Sequence, residues 1–285
     1  MSHQSTPRAP NATPLVANLT VVGTMGLLQS GDSVIASTQV NNKDHHALLA
    51  LPGGVTAAGP WVVTLSGNAT FTRGSTYPSF GVMVANGTTA ASSTGLFSGY
   101  YHFNSNTLVP GGWTITLNTQ TRPAIYYGDN TYTPDTGPFY FRIINDGTNY
   151  IYQTSIMRGT FWRTIFSNTT ATVGITPTHY GFSLGCANGS AFASAIVDSL
   201  SMTTISQSTI TNVTSDGTLY TVTTSAAHGL ITGDSVSITS VTGTGTSPNN
   251  RYENTVISTG TNTFTVPAGG AFTYTSGGLS TLTSR

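Results

Sequence analysis

Residues 139–166 read FYFRIINDGTNYIYQTSIMRGTFWRTIF, and this stretch decides the fold. Taken by twos, Tyr140, Arg142 and Ile144 alternate with Phe139, Phe141 and Ile143, the period of a pleated strand with two unlike faces. Asn145-Asp146-Gly147 follows, a turn sequence in which Gly accepts the positive φ that tight hairpins demand. A second alternating run returns through Tyr150, Tyr152 and Thr154. Arg158-Gly159 marks the next turn, ahead of Phe161–Phe166, and runs at Tyr180–Leu184 and Ala193–Met202 extend the pattern. Strands joined in this way predict an antiparallel meander from Phe139 to Met202.

The composition points the same way. The chain has 285 residues, room for one large β domain or two smaller ones. Only 6% of residues are charged, against about 25% in ordinary soluble domains. Thr and aromatic residues suit a half-buried pleated surface, while 32 Gly and many Asn supply turns. Disorder is disfavoured because 13 Tyr, 12 Phe and 3 Trp recur along the chain, and disordered chains are poor in aromatics. Nine basic and nine acidic residues leave no net charge, and Lys43 is the single lysine. Nucleic acids and anionic membranes are held by clustered Lys and Arg, so neither is an expected partner. A neutral, weakly charged surface tends to associate, and a homo-oligomer is expected. The lone cysteine, Cys186, ends an apolar run and reads as a small buried hydrophobe.

Three regions are expected. Residues 1–14 are polar with three prolines (Pro7, Pro10, Pro14) and form an extended arm. Such an arm orders only against something else, such as a neighbouring subunit. They hold no apolar signal core, and no run in the chain approaches the ~20 apolar residues that span a bilayer. From residue 15 to 206, short strand patterns recur, among them Ala17–Met25, Ser33–Val40, Trp61–Leu65, Ala69–Thr72, Phe80–Val84 and Trp113–Leu117. No segment keeps a 3.6-residue apolar period, and Asp44–Leu51 is at best a helical turn or two. Strands at this spacing predict a two-sheet sandwich. Residues 207–285 put Thr on nearly every second position and predict a small β-barrel or sandwich module.

Beyond pattern, specific residues carry a resemblance. Asp146-Gly147-Thr148-Asn149, the segment Ser155 to Trp162, Tyr180-Gly181-Phe182, Asn188-Gly189 and Val197-Asp198 follow one another in a fixed order. In this the chain resembles the concanavalin-A-like (laminin-G-like) jelly-roll domains found in many bacteriophage virion proteins. It departs from them at Arg158, where those domains carry Asp, which removes a ligand from any cation bound at that turn. The run Ala227-His228-Gly229-Leu230 through Gly233-Asp234 to Ile238, with Asn262–Val266, resembles a second module common in phage tail and fibre proteins. The resemblance implies an all-β chain, an antiparallel jelly-roll sandwich followed by a small β module. It also implies a virion protein made in the host cytoplasm, whose partners are other virion proteins and copies of itself, a trimer being the usual phage arrangement.

Jelly rolls also host glycoside hydrolases, which need two carboxylates flanking the scissile bond. The jelly-roll part here contains no Glu, and Glu253 in the C-terminal block has no acid near it in sequence. Of the remaining Asp residues, Asp146 belongs to a turn and Asp198 to a closing strand, so no catalytic residue is assigned. The Asp44-His45-His46 cluster reads as a polar loop, because adjacent side chains diverge. His228 reads as a turn residue satisfying backbone groups. Calcium takes six to eight oxygens, and only Asp129-Asn130 to Asp135 is rich enough to weigh, so no metal and no cofactor are expected. Glycan binding has a better candidate. Tyr126, Tyr127, Asp129, Asn130 and Tyr132 gather aromatic faces and polar groups in one predicted loop. Packing at a sandwich rim or subunit interface is the more ordinary role for those tyrosines, and Trp61, Trp113 and Trp162 read as core. The expected protein is a non-enzymatic virion component. It is either a tail, fibre or baseplate protein that adheres to a host-surface glycan, or a capsid decoration protein that clamps head subunits.

Overall fold

The computed structural model describes residues 16–38, 43–71, 79–90, 92–103, 107–117, 124–127, 138–155, 162–186, 193–249 and 251–284. The expected N-terminal arm, residues 1–14, lies outside them, as do the Arg158-Gly159 turn and the Asn188-Gly189 loop. The regular structure of the described residues is almost wholly antiparallel sheet, and the chain divides into two compact units. The second comprises Ala58–Trp61, Ile144–Ile151 and Thr204–Arg285, and the first comprises the rest.

The sandwich is built from two seven-stranded sheets. In chain order its strands are β1 (Thr20–Val22), β2 (Gly26–Ser30), β3 (Ser33–Thr38), β4 (Lys43–Ala50), β5 (Trp61–Phe71), β6 (Ser79–Ala85) and β7 (Thr94–Phe103). They continue as β8 (Thr107–Thr116), β9 (Ala124–Tyr127), β10 (Phe139–Asn145), β11 (Asn149–Ser155), β12 (Arg163–Thr169), β13 (His179–Cys186) and β14 (Ala193–Thr204). One sheet runs β1-β4-β13-β6-β7-β8-β9 and the other β12-β11-β10-β5-β14-β3-β2. This is the predicted antiparallel jelly-roll sandwich. The meander holds only for β10, β11 and β12, which are neighbours. The run at Tyr180–Leu184 is β13, between β4 and β6 in the opposite sheet, and Ala193–Met202 falls in β14, between β5 and β3. Period-two alternation marks a strand but carries no sign of which sheet receives it.

Alternation fixes which faces meet. Phe80 of β6 and Tyr100 of β7 contact Phe139 and Phe141 of β10 in tilted or edge-on ring pairs with centroids 5.0–6.4 Å apart. These rings, with Val82, Val84, Phe182, Leu184, Val34, Ala36, Ala195 and Val197, are buried between the sheets. A second buried cluster comprises Val22, Leu48, Met83, Ala85, Phe97, Ile115 and Leu117. Leu48, Gly181, Met83 and Phe97 share one row of cross-strand partners on the face opposite Phe80 and Val82. One sheet thus buries apolar side chains on both faces.

Two local expectations are corrected. Asp44–Leu51 is not helical: Asp44 to Ala50 belong to β4, paired on both sides by β1 and β13, and Asp44, His45 and His46 are buried rather than in a polar loop. Trp61–Leu65 and Ala69–Thr72 do not make two strands either, because β5 runs unbroken from Trp61 to Phe71. Gly67 permits this, since a Cβ there would strike the Ile196 carbonyl of the neighbouring strand β14. A short α-helical turn, α1 (Thr170–Val173), is capped by Thr169, whose Oγ1 accepts from the Thr172 N–H, and by Gly174 at φ 64°.

The second unit holds β15 (Gln207–Ser215), β16 (Leu219–Thr224), β17 (Ser235–Thr239), β18 (Thr242–Gly245), β19 (Arg251–Thr255), β20 (Ser258–Thr259), β21 (Thr263–Pro267), β22 (Phe272–Ser276) and β23 (Leu279–Ser284). Seven of these strands form one sheet, β19-β17-β23-β15-β16-β21-β20, and β18 pairs with β22. The frequent Thr residues pair across the open face, Thr214 with Thr221 and Thr221 with Thr265, while Val213, Tyr220, Val222, Phe264 and Val266 fill the core.

Candidate functional site

Two of the five glycan-site candidates fall on one edge of the sandwich. Tyr126 and Tyr127 are not in a loop: they end β9, the edge strand, as cross-strand partners of Gly112 and Gly111 of β8. Asp129, Asn130 and Tyr132 lie outside the described residues. The row that ends at Tyr127 is informative. It crosses the sheet as His46, Ser183, Gly81, Gly99, Gly111 and Tyr127, each the direct partner of the next. Three adjacent glycines carry no side chains, and the Phe97 ring lies over Gly81 and Gly99. A Cβ on Gly81 would come within 2.7 Å of Phe97 Cζ, and one on Gly99 within 2.5 Å. Runs such as FGVMV and LFSGYY hold these glycines in the sequence, but only strand register aligns them.

At the far end of this strip lies a buried polar group that the loop reading missed. Ser79 Oγ donates to Asp44 Oδ1 at 2.8 Å, and both side chains are out of solvent. Gly185 makes room for them, since a Cβ there would collide with the Asp44 carboxylate and the Ser79 hydroxyl. His46, two residues along on the same face of β4, is fully buried. Burial lowers its pKa to about 4, against a partly opposing effect of the Asp44 charge and with a further lowering from His45. Its imidazole is therefore neutral at ordinary pH. His45 is held differently, its Nδ1 accepting from the Thr24 N–H at 3.0 Å. Among the described residues no three His, Cys, Asp or Glu side chains are grouped to hold a metal ion.

The carboxylates with described hydrogen bonds are occupied in holding the chain. Asp198 Oδ1 accepts from Ser33 Oγ at 3.2 Å, Asp234 Oδ2 accepts from the Ile231 N–H at 2.9 Å, and Asp216 Oδ1 accepts from two backbone N–H groups. Those N–H groups, of Leu219 first and Thr218 next, draw the Asp216 pKa below its usual value. His228 acts as its motif implied. Its Nδ1 accepts from the Leu230 N–H at 3.0 Å, its Nε2 faces the Thr263 carbonyl at 3.1 Å, and its ring packs edge-on against Phe264. Of the tryptophans, Trp61 is fully buried against Tyr150. Trp162 is only half-buried just ahead of β12, with its ring 4.1 Å from the Arg142 guanidinium, so it covers a cation rather than filling the core. Arg142 also donates to Gln153, which donates on to Thr164, a polar chain across β10, β11 and β12.

No protein family and no curated protein matches the chain. Solved structures do. The seed lectin of Lotus tetragonolobus is 15% identical, with a TM-score of 0.42, over 67% of this chain and 95% of its own. A Bauhinia forficata lectin solved in complex with GalNAc is 10% identical, with a TM-score of 0.42, over 68% and 96%. The CBM2 module of the evolved Dit of Lactobacillus casei BL23 phage J-1 is 8% identical, with a TM-score of 0.39, over 66% and 91%. The likeness is one of fold.

Proposed function

We propose that this chain is a non-enzymatic structural component of a bacteriophage particle, a tail, fibre or baseplate-type protein. Its jelly roll adheres to a host-surface glycan at the β9 edge. The observation that carries the reading is the use of five acids: Asp44, Asp146, Asp198, Asp216 and Asp234 each hold a hydroxyl or a backbone N–H. Acids fixed in this way organise a scaffold. Glycoside hydrolysis calls instead for two carboxylates flanking the scissile bond. A neutral surface with 6% charge binds through aromatic faces and hydrogen bonds, with little charge to desolvate. Positions 126 and 127 are tyrosines where β9 ends, ahead of Asp129, Asn130 and Tyr132 in the sequence.

A glycan array probed with the full chain, together with label-based imaging of the protein on intact virions, tests both halves of the reading. Retention on a defined glycan, lost on Tyr126→Ala or Tyr127→Ala, and a tail location are expected. A head location with no glycan retained would replace the proposal with the capsid decoration role. Polysaccharide hydrolysis abolished by Asp129→Asn would overturn the non-enzymatic reading.

A further inference from the structure

The chain contains one hairpin turn twice. Asp146-Gly147-Thr148-Asn149-Tyr150 and Asp216-Gly217-Thr218-Leu219-Tyr220 share the pattern Asp-Gly-Thr-x-Tyr. Their local bonds are the same. Asp146 Oδ1 accepts from the N–H groups of Thr148 and Asn149 at 2.9 and 2.6 Å, and Asp216 Oδ1 accepts from those of Thr218 and Leu219 at 2.7 Å each. The glycines take φ of 89° and 93°, and both tyrosines are buried.

They differ in the second carboxylate oxygen. Asp216 is exposed, and its turn needs only Oδ1. Asp146 is fully buried, and its Oδ2 accepts from Ser237 Oγ at 3.0 Å and from Asn149 Nδ2 at 3.3 Å. Its backbone carbonyl accepts from Gln207 Nε2 at 2.8 Å, and the same amide donates to Thr281 Oγ1 at 3.0 Å. Ser237, Thr281 and Gln207 are direct partners across β17, β23 and β15, so one aspartate closes a row through three strands. Beside it the Ile205 N–H donates to the Pro60 carbonyl at 3.3 Å, and Gly59 leaves space for the Asn145 side chain, 2.8 Å from where a Cβ would stand. All these groups belong to the second compact unit. A buried carboxylate is costly unless its oxygens are bonded, and the Asp216 turn shows that hairpin formation alone does not call for burial.

We infer that Asp146 is a clasp: the sheet formed by Thr204–Arg285 is not self-sufficient and reaches its native stability only when the upstream turn at Asp146 is bonded to Ser237 and Gln207. Residues 207–285 then depend on a segment some sixty residues before them (Gln207 lies 61 positions from Asp146).

Native-state hydrogen exchange on the full chain tests this, following the amides of Ile238 in β17 and Leu282 in β23 through a cycle of Asp146→Asn, Ser237→Ala and the double variant. Each single change is expected to speed exchange at both amides on the order of 10- to 100-fold, the double no further than the larger single, while Asp216→Asn leaves them unchanged. Additive effects overturn the clasp, as does acceleration confined to Ile144 and Ile151. Should Asp146→Asn fail to fold, Ser237→Thr, which keeps a hydroxyl, must restore the protection that Ser237→Ala removes. Equal loss in both variants overturns the inference.

Discussion

His46 shows how a residue's neighbours outweigh its type. A histidine beside an aspartate and a histidine invites a solvent-facing or metal-binding reading, yet here it is fully buried with a pKa near 4. The folded pKa lies below the ordinary 6.5, so the unfolded chain takes up the proton first as pH falls. The contribution to stability is complete above about pH 6.5 and is lost progressively between there and about pH 4, amounting to roughly 3 kcal/mol. Denaturant titrations at pH 7 and pH 4.5 should show this loss, and His46→Gln should flatten it. In the second unit, His228→Ala removes the acceptor for Leu230 N–H and the contact with the Thr263 carbonyl. The expected cost is about 1–3 kcal/mol by urea unfolding, and His228→Asn, which retains a short acceptor, should recover part of it.

Among the strands, glycine placement decides how closely chains and rings pack. Gly81 and Gly99 face each other across β6 and β7 beneath Phe97, and a Cβ on Gly81 would also meet the Ser98 carbonyl. Gly81→Ala should therefore cost about 1–3 kcal/mol by overpacking, measured as a fall in denaturation midpoint at unchanged m-value. Gly53→Ala, with nothing within 4 Å of the added carbon, should be near neutral. The hairpin β10–β11 was legible because its alternation and its Asp-Gly turn are local. β13 was legible as a strand, but its place between β4 and β6 was not, since sheet membership depends on chain crossings that leave no periodic trace. Tyr126 and Tyr127 read as a loop for a related reason. β9 has four residues, too few for a pattern, and exists because β8 offers it a partner edge.

Across the molecule, low charge predicts how copies meet. With nine basic and nine acidic residues in 285, no strong field is available to drive association, so sedimentation at about 50 mM and 500 mM salt should give the same mass. Dissociation at high salt would show that a few charge pairs dominate the interface. The amino-acid sequence by itself determined the all-β class, the hairpin turns, the Thr-rich C-terminal strands and the scarcity of acids for hydrolysis, because these follow from composition and from spacing over a few residues. Tertiary structure alone decided that Asp44 and His46 are buried, that Gly81, Gly99 and Gly111 align toward Tyr127, and that one of two like Asp-Gly-Thr turns is enclosed while the other stays in solvent. Burial and cross-strand register are set by partners distant in the chain, and nothing in a local pattern records which partner arrives.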